Sequence, residues 1–333
     1  MSAKNFYRES LLTTMKKICL VLLCTLVVAF PSFPLPRLLR GDLEVYVDEA
    51  MGTINIRYYT SFIEGKIAIW GPNFYYDSTY WGSVSGAFCE PYEEGLRCYA
   101  ESPDGSFSWT LKPIVGPDFV LYEYVVTAES NWTYNAVAWV LDLPVDSFAG
   151  ESVFAVLLPY GSTEGVALRR EHVPGQPDLR SSGSGAGWVV PIGFDIGVAT
   201  TFFCDAAARV NIAATDEREW GGNSYRLRFY YPGEWGSPKM LKAGDELRFY
   251  IYIHTYTSRD EREFAQRRVF SISYLRDVGL PSSEILDLVL KGEIEKYLEE
   301  KGRERQTLLL AYILTAVFIA VVAAVLVRRR RLT

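Results

Sequence analysis

The chain has 333 residues, with 34 Lys and Arg against 40 Asp and Glu, a net charge of −6, and 14% aromatic side chains. Residues 42–327 carry 24 basic and 39 acidic groups, a net of −15, and such a surface repels phosphate backbones, which excludes nucleic acid as a partner. With only two histidines, His172 and His254, most metal and Ser–His–acid chemistries lack support, and no cofactor or metal is implied.

Taken in chain order, Lys16 and Lys17 precede an apolar run of 13 residues, 18–30, and prolines follow at Pro31, Pro34 and Pro36. Residues 1–40 therefore read as a secretory signal, or as an uncleaved signal anchor. From Leu43 to Thr257 alternation dominates. Ile54, Ile56 and Tyr58 share one face of a strand, Phe107, Trp109 and Leu111 another, and Leu247, Phe249, Ile251 and Ile253 a third. Roughly 14 to 18 such runs, divided by Gly, Pro, Asn and Asp, predict a mostly β domain over residues 41–258, a large antiparallel two-sheet sandwich. The stretch 159–187 is rich in Gly, Ser and Pro and predicts a long loop. Cys89 and Cys98 bracket a Pro- and Gly-containing hairpin, so their facing positions predict a disulfide in an oxidising compartment. Asn131-Trp132-Thr133 is a glycosylation sequon at Asn131.

Ser258 breaks the alternation. Residues 259–306 predict a helical stalk, with an apolar stripe through Ile285, Leu288 and Val289 and then a run of paired charges. Residues 307–327 are 21 uncharged, largely apolar residues followed by four arginines in the tail 328–333, which reads as a transmembrane helix with a cytoplasmic end. The expected localisation is a cell membrane, single-pass with the β domain outside, or two-pass if the first segment stays uncleaved. The lipid bilayer is then one partner. Few Gln beside many Glu and Arg is a thermophile-like bias.

Two constellations carry candidate chemistry. Asp216, Glu217 and Glu219 sit together before a strand, and paired carboxylates are what glycosidases need. The aromatic pattern is broader. Trp70, Tyr76 and Trp81 cluster in one segment. On the last long strand, Arg248, Tyr250, Tyr252 and His254 lie opposite the core face, and the strand before it offers Arg226, Arg228 and Tyr230. Flat rings flanked by Arg, Asp and Asn suit sugar rings, so Trp70, Tyr76, Trp81, Arg228, Tyr250, Tyr252 and His254 are the candidate ligand-binding residues and a glycan or polysaccharide the candidate partner.

Three stretches resemble the galactose-mutarotase-like supersandwich domains of carbohydrate-active proteins. They are Trp139-Val140-Leu141-Asp142-Leu143-Pro144 with Phe148-Ala149-Gly150, then Asp216 to Trp220 followed by Tyr225-Arg226-Leu227-Arg228-Phe229, and then Leu241 to Leu247. The resemblance covers about half of the β domain and implies a large two-sheet sandwich that handles sugars. Mutarotases use a histidine acid and a glutamate base. Neither His172 nor His254 matches that pattern, so no catalytic residue carries over. The reading is a glycan-binding β protein. The alternatives are a tethered glycoside hydrolase or epimerase working through carboxylates, and a structural envelope component without ligand.

Overall fold

A computed structural model describes residues 34–70, 81–83, 88–102, 105–134, 136–204, 210–231 and 239–303. The chain divides into two compact units, Met1–Leu35 and Pro36–Thr333, and every strand and helix of the described residues belongs to the second.

Period-two sequence has become antiparallel sheet. One sheet runs through the strands Leu38–Arg40, Leu43–Asp48, Thr53–Tyr58, Ser61–Trp70, Ala136–Pro144, Ser224–Tyr231 and Asn211–Asp216 in that spatial order, with Trp81–Ser83 paired to the end of Ser61–Trp70. The other runs through Phe88–Tyr92, Gly95–Ser102, Gly105–Val115, Phe119–Ala128, Glu246–Tyr256 and Gly197–Cys204, and ends on Ser152–Leu157 and Thr163–Ala167. The inner faces meet in a core that fully buries Trp109, Trp139, Trp188, Tyr122, Tyr124 and Tyr225. Burying each such ring contributes about 2–3 kcal/mol. Cys89 and Cys98 face one another in the first hairpin and form the disulfide, Cα atoms 4.1 Å apart.

One strand belongs to both sheets. Asp178–Pro191 pairs through its first half with Asn211–Asp216 and through its second half with Ser152–Leu157 and Gly197–Cys204. The second part of the Gly- and Ser-rich run expected as loop is thus strand, and its glycines explain how it crosses. A Cβ at Gly185 would stand 2.2 Å from Ile212 Cδ1, and one at Gly187 would stand 2.3 Å from the Thr200 carbonyl oxygen. Only bare backbone passes so close to its neighbours.

The C-terminal helices correct a second expectation. Helix Arg259–Asp277 opens on Ser258, whose side chain accepts from Glu261 N at 3.3 Å. It lays Ala265, Val269, Ile272 and Leu275 onto the outer face of the second sheet, against Phe203, Tyr250, Tyr252 and Tyr256. Helix Ser282–Lys291 adds Ile285 and Val289, and the helical residues 294–303 add Ile294. Residues 259–303 are therefore a packed layer rather than a stalk, because their 4-3-3 apolar spacing supplies a stripe that needs cover. The expected single-pass membrane placement is overturned: among the described residues no helix is long and apolar enough to cross a membrane. The apolar runs 18–30 and 307–327 lie outside the described residues.

Candidate functional site

Strand Ser224–Tyr231 sorts its side chains by parity. Tyr225, Leu227 and Phe229 enter the core, while Arg226, Arg228 and Tyr230 lie on the outer face of the first sheet. Register then decides the neighbours. Asp142 stands beside Arg226, and Val140 beside Arg228. One strand further, Glu64 stands beside Asp142, and Lys66 beside Val140. The resulting contacts form a ladder. Lys66 Nζ donates to Glu64 at 2.7 Å and pairs with Asp142 at 2.8 Å. Arg226 grips Asp142 through two bonds of 2.6 and 2.9 Å and reaches Glu217 at 3.1 Å. Arg228 donates to the other Glu217 oxygen at 2.7 Å and to the Tyr230 hydroxyl at 3.2 Å, and Thr215 Oγ1 donates to Glu217 at 2.6 Å. Arg228 and Tyr230 are themselves buried, and beside them lie the small or slim residues Ala136, Ala138, Val140 and Ala213, buried as well.

The electrostatics follow from this pairing. Burial alone would raise the Asp142 pKa, but the bonds and charges of Arg226 and Lys66 outweigh it and hold the carboxyl below its ordinary value. Burial would lower the pKa of both Lys66 and Arg226, and Asp142 reverses each.

The three sequence-predicted carboxylates lie at one end of this ladder, each already engaged. Asp216 caps the 3₁₀ turn Glu217–Trp220, accepting from Arg218 N at 3.2 Å and from the Arg218 guanidinium at 2.9 and 2.7 Å. Burial works to raise its pKa, yet Arg218 keeps it lowered. Arg218 also donates to the carbonyls of Arg169 and Arg170 at 2.7 and 2.9 Å. Glu219 meets His172 at 3.1 Å and accepts from Gly175 N at 2.9 Å. The turn thus straps down the loop before Asp178–Pro191. Among the described residues no group of three or more His, Cys, Asp or Glu could hold a metal ion.

The aromatic row on Glu246–Tyr256 has a different fate. Tyr250, Tyr252 and His254 do share the face opposite the sandwich core, but helix Arg259–Asp277 closes over them and leaves 3%, 1% and 2% exposed. Tyr252 hydroxyl and His254 Nδ1 bond at 2.8 Å, and Tyr250 stacks on Phe203 with centroids 5.0 Å apart. These side chains form a second core and offer no groove to a ligand. Of the remaining candidates, Trp70 and Trp81 stand directly opposite in register, and Tyr76 lies outside the described residues. Asn131 is exposed, its Oδ1 accepting from Ala243 N at 3.2 Å. Only Arg228 among the predicted ligand residues joins the ladder. Sequence reading did not single out Lys66 or Asp142 as site residues. Their signal was a lone charge on a strand face, which acquires meaning only once register pairs them.

No family model matches the chain, and no curated protein matches it. Solved structures are similar to it at low identity. The Slr1438 protein of Synechocystis sp. PCC 6803 is 9% identical over 68% of this chain and 98% of its own, with a TM-score of 0.42. A galactose mutarotase related enzyme from Lactobacillus acidophilus is 8% identical over 68% of this chain and 98% of its own, with a TM-score of 0.37. The α-N-acetylgalactosaminidase NagBb of Bifidobacterium bifidum, in complex with GalNAc, is 14% identical over 74% of this chain and 39% of its own, with a TM-score of 0.43.

Proposed function

We propose that the protein binds carbohydrate on the outer face of its first sheet and does not turn it over. The observation that carries this reading is the ladder of Glu64, Lys66, Asp142, Arg226, Glu217 and Arg228, fixed across three neighbouring strands and a turn. Sugar hydroxyls donate and accept together, and guanidinium–carboxylate pairs held in place supply both partners without further ordering. Arg228 and Glu217 are buried, so a ligand meets the ladder at its other end, where Glu64, Lys66 and Arg226 stay partly exposed. Trp70 ends the strand that carries Glu64 and Lys66, and Trp81 stands opposite it on the neighbouring strand Trp81–Ser83; tryptophan is the residue type whose flat ring packs on pyranose C–H groups.

The state of the carboxylates argues for binding without hydrolysis. Glycoside cleavage needs one carboxyl kept protonated near neutral pH beside a second that is ionised. Asp142 and Asp216 are both held below their ordinary range by cations, and Glu217 is gripped by two guanidinium groups. The test is glycan-array screening of the full chain, followed by calorimetry with the best ligand. Lys66→Met is expected to weaken binding about tenfold, the loss of one charge-assisted hydrogen bond. Absence of any glycan ligand, or affinity unchanged in both Lys66→Met and Trp81→Ala, would overturn the reading, and turnover of the bound glycan would overturn its non-catalytic half.

A further inference from the structure

A second surface of the same unit has the makings of a ligand site. Phe194 stands at the tip of the turn joining Asp178–Pro191 to Gly197–Cys204 and is 98% exposed. Single exposed apolar side chains are ordinary on protein surfaces, but the backbone that carries this one is fixed and it borders a cavity. Ile192 N and Gly193 N both donate to the Ile196 carbonyl, at 2.8 and 3.0 Å. Gly193 lies against the Tyr58 ring, where a Cβ would stand 3.0 Å away. The cavity beside the tip measures about 580 Å³ and is lined by Phe154, Phe194, Arg262, Glu151, Ser147 and Ser152 among others, within the size range of small-molecule sites.

The lining selects a ligand class. Arg262 lies over the Phe154 ring, 6.0 Å from its centroid, and makes no ion pair among the described residues. Glu151 makes none among them either, so two opposite charges line one cavity without forming an ion pair with each other. A donor-only guanidinium, an acceptor-only carboxylate and two hydroxyls match a ligand that donates and accepts at once. An anion would meet Glu151 and a cation would meet Arg262, whereas a neutral polyol suits both. The two phenyl rings add an apolar surface for a ring's C–H face. We propose that this cavity binds one neutral pyranose residue, with Phe194 as the stacking platform, Arg262 as donor and Glu151 as acceptor. The site stands on its own residues and does not depend on the ladder of the first sheet.

The experiment titrates the full chain with methyl α- and β-pyranosides of glucose, galactose and mannose, with methyl glucuronoside as the acidic counterpart, read by saturation-transfer NMR and calorimetry. A neutral pyranoside should bind, with Phe194→Ala weakening it about tenfold and Arg262→Gln weakening it as well. Because Phe194 is solvent-exposed, the thermal midpoint of Phe194→Ala should equal that of the parent. No pyranoside binding, binding indifferent to Phe194→Ala, or preference for the glucuronoside overturns the proposal. Binding lost in Lys66→Met but kept in Phe194→Ala overturns it while leaving the first-sheet reading intact, and the reverse pattern supports this site and removes that one.

Discussion

Acidification from pH 7 to pH 5 reads the packing of His254 directly. The imidazole sits beneath helix Arg259–Asp277, with Nδ1 2.8 Å from the Tyr252 hydroxyl, Nε2 3.7 Å from Asp118 and the Phe264 ring 5.5 Å away. Burial drives its pKa from 6.5 down to about 4. Asp118 and Glu261 pull upward, and Arg268 and Arg40 push further down. In the unfolded chain the ring takes a proton below about pH 6.5, while the folded chain resists until near pH 4. The unfolded state therefore binds more protons in that window, and stability falls as pH falls. The loss attributable to this one group is about 2 kcal/mol at pH 5 and approaches about 3 kcal/mol near pH 4. Urea unfolding followed by tryptophan fluorescence, at pH 7, 6 and 5, measures it in the parent and in His254→Gln, whose amide can still bond Tyr252. Between pH 7 and 5 the variant should lose about 2 kcal/mol less than the parent, whatever its stability at pH 7. All other ionisable groups are common to both chains and cancel from the comparison. Parallel profiles would refute the reasoning, since they would mean that His254 is as free to protonate in the fold as outside it.

Gly65→Ala should destabilise by about 2–3 kcal/mol through overpacking, because its Cβ would lie 2.0 Å from the fully buried Trp139 ring; a urea midpoint equal to that of the parent would contradict the close approach. Replacing Cys89 and Cys98 together by serine should cost about 2–3 kcal/mol, the loop-closure entropy of a bridge between residues 9 apart. The double variant should also lose the response to reducing agent that the parent shows in the same unfolding assay.

What was legible in the sequence was parity. Leu227 and Phe229 against Arg226 and Arg228, or Phe249 and Ile251 against Tyr250 and Tyr252, declare two faces of a strand without any coordinates. Parity does not say what covers a face. The tyrosine row looked like a ligand surface because the covering stripe, Ala265, Val269, Ile272 and Leu275, lies in a segment whose charges were easier to see than its apolar spacing. Asp178–Pro191 escaped for the opposite reason. Its Gly and Ser composition signals loop, and only the close approach to Ile212 and Thr200 shows why a strand there needs glycine. The ladder was the least legible feature. Lys66, Asp142 and Arg226 are separated by 76 and 84 positions in the chain, and only the register of three strands makes them neighbours.

The two outer faces of the sandwich have met the same problem in different ways. The second sheet buries its outer aromatic row under helices, which is the thermodynamically simple solution, since apolar contact offsets the entropy of ordering the cover. The first sheet carries Lys66, Asp142, Arg226, Arg228 and Glu217 on strands and a turn whose neighbours at the same depth are Ala136, Ala138, Val140 and Ala213. Partly buried ion pairs are costly to desolvate, and well-packed apolar residues in their place are often neutral or stabilising. Stability alone therefore gives little reason for six charged groups, Glu64 included, on that face. The proposed recognition of a polar ligand would supply one, because it needs donors and acceptors fixed in advance.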